Sequence, residues 1–202
     1  MIFEARVLDI IQRTYNVTSF RFFRDAGLPF QAGQFMQVTL KVAGEEQSKY
    51  FSFSSAPTET GYIEFTKKFT GSGFSEALRR LAVGDTVKIK MPLGKFILDE
   101  KKSKQAFLSG GIGVTPIRSM LKYAIDSRLP LDMVLFYSNR SPEDIVFCSE
   151  LEEMARDHKN LKIVFSLDTT ETCPAGWKGK CGFISADMIR AELPDYAERI
   201  FS

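Results

Sequence analysis

The spacing of apolar residues changes once along this chain, near residue 100, and that change demands two differently built halves. Up to about residue 98 the runs FEARVLDII, VTSFRFF, QFMQVTL, KYFSFS, YIEFTKKF and TVKIKM read as strands. In the last of them Val87, Ile89 and Met91 fall on one side and Thr86, Lys88 and Lys90 on the other, the period of an antiparallel sheet with one solvated face. Short strands separated by Gly and Pro turns predict a small closed antiparallel β-barrel. One helix interrupts them: Phe74, Leu78 and Leu81 share a face, Ser75 is placed to cap its start and Gly84 to end it.

The polar stretch DEKKSKQ, residues 99 to 105, marks the expected junction between a barrel over 1–100 and an α/β domain over 101–202. After it, AFLSG, LDMVLFYS and LKIVFSL are strand-like, and RIFS closes the chain. Between them, PIRSMLKYAI places Ile117, Met120, Leu121, Ala124 and Ile125 on one helical face, and IVFCSELEEMARD and SADMIRAEL are further helices. Strand and helix in alternation predict a parallel sheet covered by helices.

Composition removes several classes of function. Lys and Arg number 27 against 25 Asp and Glu, and a net charge of +2 supplies no field for nucleic acid or an anionic membrane surface. Glu4, Arg6 and Asp9 interrupt the apolar N-terminal residues, unlike a signal peptide, and no apolar run is long enough to cross a bilayer, so a cytoplasmic location is expected. Cys148, Cys173 and Cys181 are odd in number and form no C-x-x-C pair, which argues against structural disulfides, a zinc site or an iron-sulfur cysteine set. His158 is the one histidine and sits in the polar ARDHKN, as an exposed helix end would, so chemistry that needs a His dyad is excluded.

SGGIGVTP, residues 109 to 116, follows the first strand of the second half and opens its first helix. Gly110, Gly111 and Gly113 allow close approach of backbone to ligand, Thr115 suits an N-cap and Pro116 a first helical position. Amides at such a helix start, at the carboxyl end of a parallel strand, are placed for a pyrophosphate. The stretch is not a full G-x-G-x-x-G, and glycines at this kind of turn also serve structure alone.

KYFS, GSGFS, GDTVKIKMPLGKF and GGIGVTP, in that order across essentially the whole chain, resemble the ferredoxin-NADP reductase family of flavin reductases. The resemblance implies that Lys49, Tyr50, Phe51 and Ser52 match the family's Arg-x-Tyr-Ser flavin strand. Lys49 would then neutralise a flavin phosphate, Phe51 would lie against the isoalloxazine or ribityl chain, and Ser52 would be the catalytic hydroxyl near the hydride-accepting N5. It also nominates Ser54 and Ser55, the next strand's Thr66, Lys67 and Lys68, and Gly73, Phe74 and Ser75 at a turn facing the flavin pyrophosphate. Two helix starts would serve two dinucleotides, FAD (in preference to FMN) on the barrel and NADH or NADPH on the α/β domain. Two residues depart from the family. Lys49 replaces Arg and cannot make a guanidinium's bidentate fork, and Phe51 replaces Tyr and lacks its hydroxyl, so looser flavin binding is expected.

For the nicotinamide cofactor, the strand ends YSNRSP and FSLDTTE nominate Asn139, Arg140, Ser166 and Asp168. Leu167 stands where NADPH users of the family often carry Arg, and Asp168 would repel a 2'-phosphate, which favours NADH. The family's Cys-Gly-Pro turn and last strand are absent after Ser202, as in a fragment or a shortened relative. The implied function is transfer of hydride from NAD(P)H to FAD and of electrons onward to a ferredoxin, an iron-sulfur domain or another acceptor protein. The alternatives are a non-catalytic electron-transfer or regulatory subunit of a larger complex, and a flavin-free protein of the same architecture.

Overall fold

Strict alternation of buried and exposed side chains sets the sides of the first sheet: in TVKIKM, Val87, Ile89 and Met91 are buried, and the residues between them are not. The computed structural model describes residues 1–25, 28–169 and 173–202. Its two compact units are Met1–Leu98 with Thr115–Tyr123, and Asp99–Val114 with Ala124–Ser202.

In the first unit, β1 (Ile2–Thr14), β2 (Val17–Phe23), β3 (Phe35–Val42), β4 (Glu45–Ser52), β5 (Tyr62–Lys68) and β6 (Thr86–Leu93) form one antiparallel sheet in the order β4-β3-β6-β1-β2-β5. Its two edge strands, β4 and β5, are joined among the described residues by one isolated bridge, from Phe53 just past β4 to Phe65, which leaves a seam in the barrel. The core is rich in phenylalanine: Phe20, Phe22 and Phe51 all stack on Phe65, which is fully buried. Rings packed at these separations contribute about 0.5–1.5 kcal/mol per pair beyond the area they bury. Helix α1 (Gly73–Arg79) is capped by Ser72, whose side chain accepts from the Ser75 amide, so the cap lies three residues before the expected Ser75. The helix ends at Arg79, well before Gly84.

The second unit holds β7 (Lys104–Gly110), β8 (Asp132–Asn139), β9 (Leu161–Leu167), β10 (Lys180–Cys181) and β11 (Ile200–Phe201), all parallel, in the order β10-β9-β8-β7-β11. Strand β7 begins inside the polar DEKKSKQ. Gln105 is buried there and its amide donates to the carbonyls of Asp99 and Lys102, while Lys104 pairs with Asp195 and Glu198. Helix α2 (Val114–Asp126) continues directly from a 3-10 turn at Gly111–Gly113, which puts Thr115 and Pro116 inside the first turn, not at its cap. Helix α3 (Cys148–Asp157) starts later than the apolar pattern suggests, because Phe147 takes a left-handed φ of 61°. His158 is its exposed C-cap. Helix α4 (Ala186–Glu192) lays Met188 and Ile189 on a cluster of Ala106, Val134, Phe136 and Val164.

One expectation is overturned. Cys173 and Cys181 form a disulfide, because a turn folds the eight-residue separation back on itself and brings their Cα atoms to 6.0 Å. An odd cysteine count left room for a pair plus the free Cys148. Thr170 and Glu171 of the FSLDTTE stretch lie outside the described residues. Among the described residues no helix is long and apolar enough to cross a membrane.

Candidate functional site

Pairing of β4 with β3 decides what each residue of KYFS can do. Phe51 sits opposite the fully buried Met36 and shares its side, so its ring packs on Phe65 at 4.4 Å and near Phe74 at 6.0 Å. Tyr50 and Ser52 take the other side, Tyr50 exposed with its ring edge-on to Phe35 and its hydroxyl accepting from the Gln37 amide. Lys49 is on the same side of β4 as Phe51, and Lys67 on the same side of β5 as Phe65, by the period of two. Both side chains therefore start on the ring-bearing side of the two edge strands, close enough for one charge to act on the other. Burial, and then the charge of Lys49, lowers the pKa of Lys67. Neither lysine has a carboxylate partner among the described residues. Two unneutralised cations beside an aromatic floor fit the pyrophosphate and ring of a flavin dinucleotide.

The hydroxyls that follow divide into committed and uncommitted groups. Ser54 and Thr66 belong to a closed network: Ser19 and Thr66 share a hydrogen bond at 2.7 Å, Thr66 donates to Ser54 at 2.8 Å, and Ser54 donates to Glu64 at 2.8 Å. Glu64 is 1% exposed, and Arg13 and Arg21 close the network on its other oxygen. Ser55 accepts from the Glu64 amide. Ser75 is buried among Thr70 and Ser72, and Phe74 belongs to the core, which leaves backbone as the resource of the Gly73 turn. Lys68 projects from the opposite side of β5 to Lys67. Ser52 is different. It ends β4 half-buried, and its hydroxyl makes no hydrogen bond among the described residues.

The loop after Ser52 is held by a pair that the sequence did not signal. Arg118, 4% exposed, donates to Glu59 through both terminal nitrogens and to the carbonyl of Ser54 at 2.9 Å, while Ser119 donates to the carbonyl of Ser55 at 2.7 Å. Burial alone would raise the Glu59 carboxyl, but Arg118, the Ala56 amide and the Tyr62 hydroxyl outweigh it and hold the group below its usual range.

In the second unit the strand ends are in register: Gly110 pairs with Ser138, Ser138 with Ser166, and Asn139 with Leu167. At this carboxyl edge the buried Ser109 and Ser138 hydroxyls and both amide atoms of Asn139 find no hydrogen-bond partner among the described residues. A buried polar atom left so costs about 1–3 kcal/mol, and a cluster at the ligand-binding edge of a parallel sheet is the expected form of a site that a polar ligand completes. Side chains built at Gly110 or Gly111 would meet nothing within 4 Å, so the turn is open where a ligand would approach. Ser166 is committed to the Gly182 carbonyl, Asp168 is tied by its amide to the Asn139 carbonyl at 2.8 Å, Arg140 is exposed beyond β8 and Thr115 is buried. Ser109 and Ser138 were missed in the sequence. The available signal was a small hydroxyl in the last two positions of consecutive parallel strands.

An oxidoreductase FAD-binding domain model matches residues 5–97 and an oxidoreductase NAD-binding domain model matches residues 107–201. The chain belongs to the ferredoxin-NADP reductase family. Within it, the glycine betaine monooxygenase reductase subunit of Pseudomonas aeruginosa is 33% identical over 96% of this chain and 54% of its own length. The chain thus spans about half the length of the curated relatives that it matches first, at 54% and 55%. The cytochrome b5 reductase domain of Ulva prolifera nitrate reductase superposes with a TM-score of 0.84 at 26% identity, over all of this chain and 86% of that one. A ferredoxin NADP+ reductase from Neisseria gonorrhoeae with bound FAD and NADP shares the fold, with a TM-score of 0.81 at 19% identity over 99% of this chain and 83% of that one.

Proposed function

We propose that this chain is the FAD- and NAD(P)H-binding part of a reductase that moves hydride from the nicotinamide to the flavin and electrons on to a ferredoxin, an iron-sulfur domain or another acceptor protein. The observation that carries the reading is that, among the described residues, each unit has polar groups without a protein partner: the Lys49 and Lys67 ammonium groups, which have no carboxylate, in the first, and the buried Ser109, Ser138 and Asn139 side chains at the strand ends in the second. Bound flavin would supply the conversion of a two-electron donor into single-electron transfers. The protein's part is binding and orientation. Lys49 and Lys67 hold the flavin phosphates, the Ser52 hydroxyl serves the ring edge that receives hydride, and the glycine turn with Asn139 holds the nicotinamide dinucleotide. NADH is the proposed donor, since Asp168 at the end of β9 disfavours a further phosphate. A protein acceptor on another chain or segment is supported by the relative named as the reductase subunit of a monooxygenase. A cytoplasmic setting belongs to the same proposal.

Purified protein reconstituted with FAD should be yellow and should bleach on anaerobic addition of NADH. A preparation that binds FAD but does not bleach with NADH or NADPH would replace this reading by that of a non-catalytic subunit, and failure to bind flavin at all would leave only the architecture. Within the same assay, Ser52→Ala should keep its flavin and be reduced about 5–30-fold more slowly, the effect of losing one hydrogen bond of about 1–2 kcal/mol in the reacting geometry. Unchanged stopped-flow kinetics would remove Ser52 from the chemistry.

A further inference from the structure

We propose that Tyr137 is a positioning residue for the dinucleotide turn, a role that rests on the NAD(P)H-binding reading above. Its ring rises from β8, fully buried, and its hydroxyl donates to the carbonyl of Gly111 at 3.0 Å while accepting from the Val146 amide at 3.3 Å. Burial pushes the phenol well above its ordinary pKa, so the group is a neutral donor under all working conditions.

The bond matters because of what it holds. Gly111 has a φ of +50° and open space where a Cβ would stand, so its peptide plane is held by hydrogen bonds to its carbonyl, from the Val114 amide and from the Tyr137 hydroxyl. A trans peptide is planar, so anchoring the Gly111 carbonyl toward Tyr137 sets the direction of the Ile112 N–H on the opposite edge of the same plane. The hydroxyl thus adds a second hold on a carbonyl that the Val114 amide also meets, and with it fixes which edge of the turn faces an incoming pyrophosphate. Through Val146 it also ties down the segment between Arg140 and α3, whose last residue, Phe147, is held in a left-handed conformation. The glycine turn and the loop carrying Arg140 thus both bond to a single oxygen, on the strand that carries Ser138 and Asn139, whose side chains have no hydrogen-bond partner among the described residues.

Tyr137→Phe keeps the ring and removes the latch. In the full chain reconstituted with FAD, it should raise the KM for NADH about 5–20-fold and weaken binding of ADP-ribose, which cannot be reduced, by a similar factor. The limiting rate of flavin reduction and the flavin spectrum should stay within twofold of the wild type. A role in stability alone would lower Tm and leave KM and ADP-ribose affinity where they were, and that result overturns the proposal. Gly111→Ala, strained at this φ but with room for its methyl, should also raise KM. If both changes act through one bond, the double variant should exceed the worse single variant by less than twofold, whereas multiplying effects would count against the latch. Failure of the wild type to bind NADH, NADPH or ADP-ribose would instead sink the functional reading on which this one stands.

Discussion

Reversing two charges, Lys49→Glu with Lys67→Glu, should give a folded protein that no longer holds flavin. Neither ammonium group has an ionic partner among the described residues, so the fold loses no ion pair there, and the two new carboxylates repel each other as the two ammonium groups did. Toward a pyrophosphate the effect is large. Hydrogen bonds to charged groups contribute about 1.5–3 kcal/mol each, so two of them correspond to roughly 10²–10⁴ in affinity before the new repulsion is counted. Flavin retained per protein after gel filtration, followed by an FAD titration, measures it. A double variant that stays yellow with wild-type affinity would move the phosphates away from the seam and take the assignment of Lys49 with it.

Arg118→Ala should be the most damaging single change to stability. It strands the Glu59 carboxylate with only the Ala56 amide and Tyr62 hydroxyl, and it removes the donor to the Ser54 carbonyl. Breaking a buried pair from one side costs about 3–5 kcal/mol, a fall of about 10 °C or more in Tm for a chain of this length. The pair also carries a signature in acid. Because the folded pKa of Glu59 lies below its unfolded value, its contribution is complete above the ordinary glutamate range and disappears as pH falls through the depressed value. The variant should therefore show a flatter loss of stability below about pH 4.3 than the wild type. Thermal melts of both proteins across that range decide the matter, and identical curves would show that Glu59 is not the group Arg118 holds.

Most elements were legible because each strand or helix buries one periodic face, as Val87, Ile89 and Met91 do in β6 and Leu151 and Met154 do in α3. What escaped the sequence was long-range. Glu64 and Thr66 alternate with Ile63 and Phe65, the period of a strand with one wet face, yet they are 1% and 4% exposed because Arg13, Arg21, Ser19 and Ser54 come together around them from distant segments. Arg118 and Glu59 are likewise far apart in the chain, and no local pattern pairs them. Helix starts went astray for a local reason: Ser72 and Ser75 are both competent caps, and only the fold shows that Ser72 does the capping while Ser75 turns inward. The flavin strand was found by resemblance. Which of its hydroxyls is uncommitted was set by the pairing of β4 with β3, and the sequence alone does not encode that pairing.

The route of the backbone has a practical corollary. Residues 115–123 belong to the unit that otherwise ends at Leu98, so the polypeptide leaves that unit, returns to it and leaves again. No single scissor point yields two whole pieces: a product stopping at Leu98 would lack Arg118 and Ser119, and its complement would carry a helix stripped of the loop it grips. Engineering that swaps one unit for a cousin's must therefore transplant three junctions, not one.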